Sequence, residues 1–237
     1  HGISPNVENW LVTNIPDAIA PFSYTQIAGG HSNLTFKVDD AAGHSYVLRR
    51  PPLGHRLASA HDMSREHRII AGLAKSNVPV APALGLCTDE AVNDLPFYVM
   101  AFVDGHVIRD KATASSILQP QGCRRASESI VDTMAAIHAV DITSVGLQDL
   151  GRHDGYIARQ LKRWHGNIVE QRTRELPLVD SVYEELMTRI PVQSSATIVH
   201  GDYRLDNCMV DALGNVIAVL DWEICTLGDP MADLGLL

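Results

Sequence analysis

Two polar stretches near the end of the chain decide its fold: His200-Gly-Asp-Tyr-Arg-Leu-Asp-Asn207 and Leu220-Asp-Trp-Glu223. The residues between them form two short apolar segments, 208–210 and 216–220. These segments are separated by the turn sequence Asp211-Ala-Leu-Gly-Asn215, which predicts a β-hairpin. A loop that leads directly into a hairpin can hold carboxylate and amide oxygens in a fixed arrangement. We therefore expect the chemistry of the protein at this place.

The residue types in these stretches suit phosphoryl transfer. A carboxylate at Asp202 accepts hydrogen bonds and can orient an attacking hydroxyl, which is nearly all that the loose transition state of this reaction requires. Asn207 and Asp221 supply oxygen ligands of the kind that Mg²⁺ prefers. Arg204 lies on the same loop and can bridge to the transferred phosphate. The pattern predicts Asp202 and Arg204 as catalytic residues and Asn207 and Asp221 as metal ligands.

The first hundred residues have the pattern of a small sheet. A short helix at 4–14 is followed by segments rich in β-branched and aromatic residues, and one amphipathic helix interrupts them at 59–76. The predicted strands lie at 22–28, 34–38, 45–49, 78–87 and 97–103. This pattern predicts a five-stranded antiparallel sheet with one helix, forming an N-terminal lobe over residues 1–103.

Helical periodicity dominates the rest of the chain, at 114–139, 154–172 and 178–190. We expect a mainly helical C-terminal lobe over residues 104–237, which includes the hairpin described above. The last residues, Leu234-Gly-Leu-Leu237, have the pattern of the start of an apolar helix. We therefore expect this lobe to be truncated.

Composition limits the partners and the location. With 19 Lys and Arg against 28 Asp and Glu, the formal net charge is -9, which disfavours nucleic acid as a partner. There is no apolar stretch of about 18 residues, the length that a membrane helix needs. The four cysteines are widely spaced, which is typical of buried thiols in a reducing compartment. We expect a cytoplasmic protein without nucleic-acid or membrane partners; its oligomeric state is unknown.

The two stretches resemble the aminoglycoside phosphotransferase and choline kinase-like branch of the protein-kinase fold. In that branch His-Gly-Asp-x-x-x-x-Asn stands where protein kinases have His-Arg-Asp-x-x-x-x-Asn, and Asp-Trp-Glu stands where they have Asp-Phe-Gly. The resemblance covers nearly the whole chain. It implies an α+β, two-lobed, protein-kinase-like fold, and a kinase that uses ATP or GTP with Mg²⁺.

The resemblance also implies nucleotide-binding residues in the N-terminal lobe. The segment 27–38 is similar to the hairpin that covers the phosphates, with Gly30, His31, Ser32 and Asn33 at its turn. It lacks the full Gly-x-Gly-x-x-Gly pattern. The segment 46–49 is similar to the third strand, whose final cation contacts the phosphates. That cation is Arg49 where most relatives have lysine, and its planar fork can still bind phosphate; Arg50 is the alternative in register.

Glu66 gives an independent indication of this site. It lies on the apolar stripe of the predicted helix, between Met63 and Ile70, where an unpaired carboxylate is costly. In the kinase-like family the corresponding residue pairs with the third-strand cation, so we assign Glu66 to Arg49; a solvated glutamate at the helix edge is the alternative. If the pair is buried, removing either member costs about 3 to 5 kcal/mol.

Other positions also resemble the family, but the resemblance assigns them less definite roles. The segment 97–105 resembles the hinge between the lobes, where backbone groups of Ala101 and Val103 would contact adenine. Ile137 and His138 fit the end of a helix with a histidine in the core. Asp229 and Asp233 fit the start of a helix. Glu223 either holds a second metal through water or faces solvent.

These expectations combine into a predicted activity: transfer of the γ-phosphoryl group of ATP or GTP to a hydroxyl of a small molecule. Two alternatives stay open. The segments 47–52 and 59–61 also resemble kinase-like domains fused to acyl-CoA dehydrogenases, in which case hydroxyacyl-CoA or hydroxy acids would be the acceptors. A nucleotide-binding module without catalysis is the alternative from another class.

Overall fold

The computed structural model describes residues 3–27, 33–52 and 62–237. Within them the chain forms two compact units, one of residues 1–133 and 204–224 and the other of residues 134–203 and 225–237. The predicted lobe boundary between residues 103 and 104 stays a prediction.

The first unit contains the predicted five-stranded sheet. Its strands are β1 (Ser23–Gln26), β2 (Leu34–Asp39), β3 (Ser45–Arg50), β4 (Ala83–Cys87) and β5 (Phe97–Ala101). They are antiparallel and lie in the order β1-β2-β3-β5-β4. The α+β fold class and the antiparallel sheet are therefore confirmed.

Helix α1 (Asn6–Asn14) covers one face of this sheet. Its buried Val7 and Leu11 belong to a core with alternate residues of the central strands, among them Phe36, Leu48 and Val99. Alternate residues of a strand point to opposite faces. Residues 47 and 49 of β3 therefore face away from α1.

Helix α2 (Met63–Leu73) contacts β4 and β5 and lies within the predicted helix at 59–76. It begins where the side chain of Asp62 accepts a hydrogen bond from the N–H of Arg65 at 2.9 Å, an N-cap that satisfies one free amide. Its buried stripe includes Met63, Glu66 and Ile70. The helix therefore holds a carboxylate among apolar residues, as the sequence predicts.

The predicted C-terminal hairpin is also present in the first unit. It comprises β8 (Cys208–Val210) and β9 (Val216–Val219), and a short strand, β6 (His106–Val107), pairs with β8. The N–H of Val216 donates to Oγ of the buried Ser129 at 2.9 Å. This hydrogen bond joins the hairpin to the long helix that contains Ser129, Pro120–His138.

One predicted helix is wrong in its extent. The segment 114–139 forms two helices, α3 (Lys111–Ile117) and α4 (Pro120–His138), separated by an extended Leu118. Pro120 has no N–H to donate and disfavours the helical conformation of the residue before it. The first helix therefore ends before this proline, and a second helix begins with proline in its first turn.

The second unit is mainly helical. It contains α5 (Tyr156–Gln171), α6 (Pro177–Thr188) and the short α7 (Met231–Leu234), together with β7 (Thr197–Val199) and β10 (Thr226–Gly228), which pair with each other. Strand β10 was not predicted from the sequence. A strand of three residues is too short to give a recognisable alternation.

The cysteines match the expectation of free thiols. Cys87, Cys208 and Cys225 are buried and Cys123 is partly buried, and all four are unbridged. Within the described ranges no helix is long and apolar enough to cross a membrane.

Candidate functional site

The structure decides between the two arginines at the end of β3. Arg50 is fully buried on the α1 side of the sheet, where its Nη2 lies 3.2 Å from Oδ1 of Asp94. Arg49 points to the opposite side, toward α2. Strand β3 ends at Arg50, directly before Pro51 and one residue beyond the predicted strand at 45–49. Arg49, and not Arg50, is therefore the cation of β3 that faces α2.

Arg49 and Glu66 form the predicted ion pair. Nε of Arg49 lies 3.2 Å from Oε1 of Glu66, and the two side chains are 12% and 2% exposed. The alternative of a solvated glutamate is excluded by this burial. The pair joins the third strand of the sheet to α2.

The guanidinium of Arg49 also contacts the segment that follows β9. Its Nη2 donates to Oδ1 of Asp221 at 2.6 Å and lies 3.6 Å from Oε2 of Glu223. The intervening Trp222 is buried, and its indole N–H donates to the carbonyl of Val219 at 3.0 Å. The buried tryptophan fixes this turn, so the two carboxylates on either side of it reach the same cation.

Asp221 has an uncommon backbone conformation, with φ of 61°. Few residues other than glycine adopt this left-handed region, although aspartate does so more readily than most. With this conformation, two residues after β9 ends, the carboxylate of Asp221 lies beside Arg49.

Three carboxylates thus share one guanidinium: those of Glu66, Asp221 and Glu223. Burial raises the pKa of Glu66 to about 7, and the charge of Arg49 only partly opposes this effect. Burial acts to lower the pKa of Arg49, but the neighbouring Glu66, Tyr98 and Asp221 leave it above its ordinary value. Arg49 therefore stays charged, and the cluster retains an excess of negative charge.

Asn207 lies at the end of a 3₁₀ turn (Leu205–Asn207) in the same unit. Its carbonyl accepts the N–H of Leu220 at 2.8 Å, and its own N–H donates to the carbonyl of Arg204 at 3.0 Å. Leu220 immediately precedes Asp221. The backbone of one predicted metal ligand is therefore tied to the residue next to the other.

Arg204 is exposed, and its Nε lies 3.0 Å from Oδ1 of Asp206. The predicted contact of Arg204 with a phosphate stays a prediction.

Asp202 belongs to the second unit, in a turn that follows β7. Its N–H donates to Nδ1 of His200 at 3.3 Å, and Gly201 between them has φ of 87°, a value that favours glycine. The fully buried Asp233 accepts the N–H groups of His200 at 2.9 Å and Gly201 at 2.8 Å. Nε2 of His138 lies 2.9 Å from the same carboxylate. Asp233 therefore organises the backbone directly before Asp202.

The other predicted nucleotide-binding residues are described in part. Gly30, His31 and Ser32 lie outside the described residues. Asn33 is buried, and its Nδ2 donates to Oε2 of Glu223 at 3.2 Å.

The predicted hinge residues lie at the end of β5 and beyond it. The N–H of Ala101 donates to the carbonyl of Pro82 at 2.9 Å, and Val103 follows the strand and is partly exposed. The amide of Ala101 is thus already used within the protein. The contacts of both residues with adenine stay predictions.

The donor set suits a magnesium ion. Asn207 and Asp221 offer hard oxygen atoms, and Mg²⁺ is commonly bound by one or two protein ligands with phosphate oxygens and water. Across the described ranges, no group of three or more His, Cys, Asp and Glu side chains could hold a metal ion by itself. A carboxylate can accept several bonds, so the contact of Asp221 with Arg49 leaves it able to bind a metal.

Two residues of these networks were not assigned from the sequence. The sequence does not decide between a metal ligand and a solvated residue for Glu223, and it predicts Asp233 only as a residue in the first turn of a helix. The position of Glu223 two residues after Asp221 was the available indication. For Asp233 the indication was a carboxylate among apolar residues at the start of a helix.

A five-stranded antiparallel sheet with an Arg–Glu pair, followed by an Asp-x-x-x-x-Asn loop and an Asp-Trp-Glu segment, defines the protein-kinase-like class of phosphotransferases. Residues 23–237 match the profile of the phosphotransferase enzyme family (APH), and the chain belongs to this family. This result confirms the family resemblance that the sequence motifs indicate.

Solved structures agree with this assignment. A protein of Ralstonia eutropha assigned to the aminoglycoside phosphotransferases superposes with a TM-score of 0.83 at 36% identity, covering 97% of this chain and 67% of that one. APH(2″)-IIIa, solved with GDP and kanamycin, gives a TM-score of 0.70 at 15% identity over 97% of this chain and 76% of that one. The second likeness supports the fold alone.

The curated relatives are longer proteins. Acyl-CoA dehydrogenase family member 10 of Mus musculus is 35% identical over 216 residues, which are 91% of this chain and 20% of that protein. The chain spans between 20% and 30% of the length of the curated relatives named as acyl-CoA dehydrogenase family members 10 and 11 of the mouse. The resemblance to kinase-like domains of such proteins is therefore confirmed.

Proposed function

We propose that this chain transfers the γ-phosphoryl group of ATP or GTP to a hydroxyl group of a small molecule. The observation that carries the proposal is the contact of Arg49 with Glu66 on one side and Asp221 on the other, at 3.2 and 2.6 Å. The excess negative charge around Arg49 suits a divalent cation, and a metal ion held there would bind the phosphates of a nucleotide together with Arg49. Membership of a phosphotransferase family supports this assignment.

In this proposal the residues of the chain have distinct roles. Asp202 accepts a hydrogen bond from the acceptor hydroxyl and orients it, and Arg204 contacts the transferred phosphate. Asn207 and Asp221 would hold Mg²⁺, which when bound neutralises charge on the phosphate oxygens. The hairpin residues Gly30 to Asn33 and the hinge residues would bind the nucleotide.

Substitution of Asp202 tests the proposal. In the full-length protein, Asp202→Asn should bind Mg-nucleotide normally and lose roughly 10²- to 10⁴-fold in turnover, because a neutral amide is a weaker acceptor for the hydroxyl and cannot take up its proton. Asp132→Asn, which removes a 70% exposed carboxylate, serves as the control and should leave turnover unchanged. Undiminished turnover of Asp202→Asn would defeat the proposed role.

The metal ligands have a separate test. Asn207→Ala and Asp221→Ala should raise the Mg²⁺ concentration required for half-maximal turnover by at least about tenfold, while Asp132→Ala should not. Unchanged magnesium dependence in both variants would remove these residues from the metal site.

A second candidate concerns the acceptor. The names of the curated relatives favour an acyl compound, so hydroxyacyl-CoA or hydroxy acids are the alternative to aminoglycoside-like acceptors. A screen of aminoglycosides, hydroxy acids and hydroxyacyl thioesters, read by release of nucleoside diphosphate, distinguishes the two. Nucleotide binding without diphosphate release for any acceptor would favour a non-catalytic module. The predicted cytoplasmic location is part of this proposal.

A further inference from the structure

We propose that Glu223 is a positioning residue that holds Arg49 and Asn33 together, and so connects the start of β2 to the cation at the end of β3. One oxygen atom makes both contacts: Oε2 of Glu223 accepts from Nδ2 of Asn33 at 3.2 Å and lies 3.6 Å from Nη2 of Arg49. The inference rests on the proposed function, since it assigns the arrangement to nucleotide binding.

Burial makes these contacts consequential. Asn33 is 3% exposed, and the side chains of Arg49 and Glu223 are 12% and 22% exposed. A polar group buried away from water destabilises the fold when its hydrogen-bond partner is removed. Loss of the Glu223 carboxylate therefore affects both of its partners.

The geometry also explains why an arginine suits this position. The guanidinium presents N–H groups on separate nitrogen atoms, so Nε contacts Glu66 while Nη2 contacts Asp221 and Glu223. A lysine has a single nitrogen, which cannot occupy both places. The contribution of Glu223 therefore depends on the arginine at position 49.

A metal-binding role for Glu223 makes a different prediction. A ligand of a second metal would matter only when Mg²⁺ is present, whichever residue stands at position 49. A positioning residue for Arg49 would matter with or without Mg²⁺, and only while the arginine is present. The two roles are therefore distinguishable by binding measurements alone.

The experiment is a pair of double-mutant cycles in the full-length protein. Glu223→Ala is combined with Arg49→Lys and, separately, with Asn33→Ala; Glu223→Gln is the conservative variant, which can still accept from Asn33. Dissociation constants for a non-hydrolysable ATP analogue are measured by calorimetry with Mg²⁺ and with EDTA. Midpoints of thermal unfolding are measured without nucleotide.

We expect Glu223→Ala to weaken binding of the analogue by roughly 5- to 20-fold with either Mg²⁺ or EDTA. In the Arg49→Lys background the same substitution should weaken binding by less than about twofold, because the effects of substitutions at contacting residues are not additive. Glu223→Gln should recover part of the loss. Additive effects in both cycles, or an effect confined to Mg²⁺, would overturn the proposal.

Failure of the proposed function gives a different result. If the wild-type protein binds no nucleotide, the proposed function fails, and the unfolding midpoints still decide the contacts of Glu223. Each single substitution should lower the midpoint by roughly 2 to 4 °C, and each double variant by less than the sum. If the decreases in midpoint are additive, Glu223 does not join Arg49 to Asn33.

Discussion

Arg49 is bound to Glu66 by an asymmetric ion pair. Arg49 has two further carboxylates within reach, at 2.6 and 3.6 Å, whereas Glu66 contacts one cation among the described residues. Removing the arginine leaves a buried carboxylate without its counter-charge. Removing the glutamate leaves an arginine that is still neutralised. The two substitutions should therefore differ in cost.

Arg49→Met should lower the free energy of unfolding by about 3 to 5 kcal/mol at pH 8, the range for breaking a buried pair. Glu66→Gln should cost at most about 1 kcal/mol, because a neutral amide of the same shape replaces a carboxylate whose charged form is disfavoured by burial. Urea denaturation measures both. The control is Arg124→Met, whose pair with Glu128 is 84% and 50% exposed and should contribute less than about 1 kcal/mol. Equal losses for the two arginines would contradict the prediction.

The raised pKa of Glu66 makes stability depend on pH. The pKa is about 7 in the folded protein against an ordinary 4.5. Between these values the folded carboxyl keeps a proton that the unfolded chain has released, so raising the pH across this window destabilises the fold. Relative to Glu66→Gln, wild type should lose roughly 1 to 3 kcal/mol over that window. Denaturation at several pH values in EDTA measures this difference, and parallel pH profiles would refute it.

Asp233 should be important for the turn that carries Asp202. Asp233→Ala leaves the amides of His200 and Gly201 without their acceptor and should cost about 2 to 4 kcal/mol in unfolding free energy. Because Asp202 follows directly, turnover should also fall. Asp229→Ala is the matched control, since among the described residues the side chain of Asp229 accepts one N–H, that of Met231 at 3.0 Å, and its loss should cost about 1 kcal/mol. Equal effects of the two substitutions would argue against the role of Asp233.

The turn of the β8–β9 hairpin can be tested with a pair of glycines. Gly43 and Gly214 both have positive φ, 88° and 91°, so alanine is strained by about 1 kcal/mol at either position. A Cβ at Gly43 would meet nothing within 4 Å, whereas at Gly214 it would collide with the carbonyl oxygen of Gly122. Gly214→Ala should therefore destabilise the protein more than Gly43→Ala in urea denaturation, by about 1 to 3 kcal/mol. Equal losses of stability in the two variants would show that position 214 is not closely packed against Gly122.

Local patterns predicted the parts of the site that lie within single elements. Glu66 was recognised because a carboxylate interrupts the apolar stripe of α2, and the hairpin because a turn sequence separates two apolar segments. The sheet of five strands followed from its β-branched segments. These features depend on neighbours in sequence, which the pattern contains.

Features that depend on distant residues were not predicted from the sequence. The contact of Arg49 with Glu223 joins residues far apart in the chain, and no local pattern specifies it. The capture of two amides by Asp233 is likewise a tertiary contact. The break before Pro120 was overlooked because the apolar spacing continues across it, although proline itself was the available indication.

The two arginines that end β3 face opposite sides of the sheet, Arg49 toward α2 and Arg50 into the core beside α1. Inserting or deleting one residue in this strand would exchange them, since side chains alternate with a period of two. Homologues should therefore tolerate substitutions in β3 far better than changes in its length, and gaps in their alignments should fall in the loops on either side.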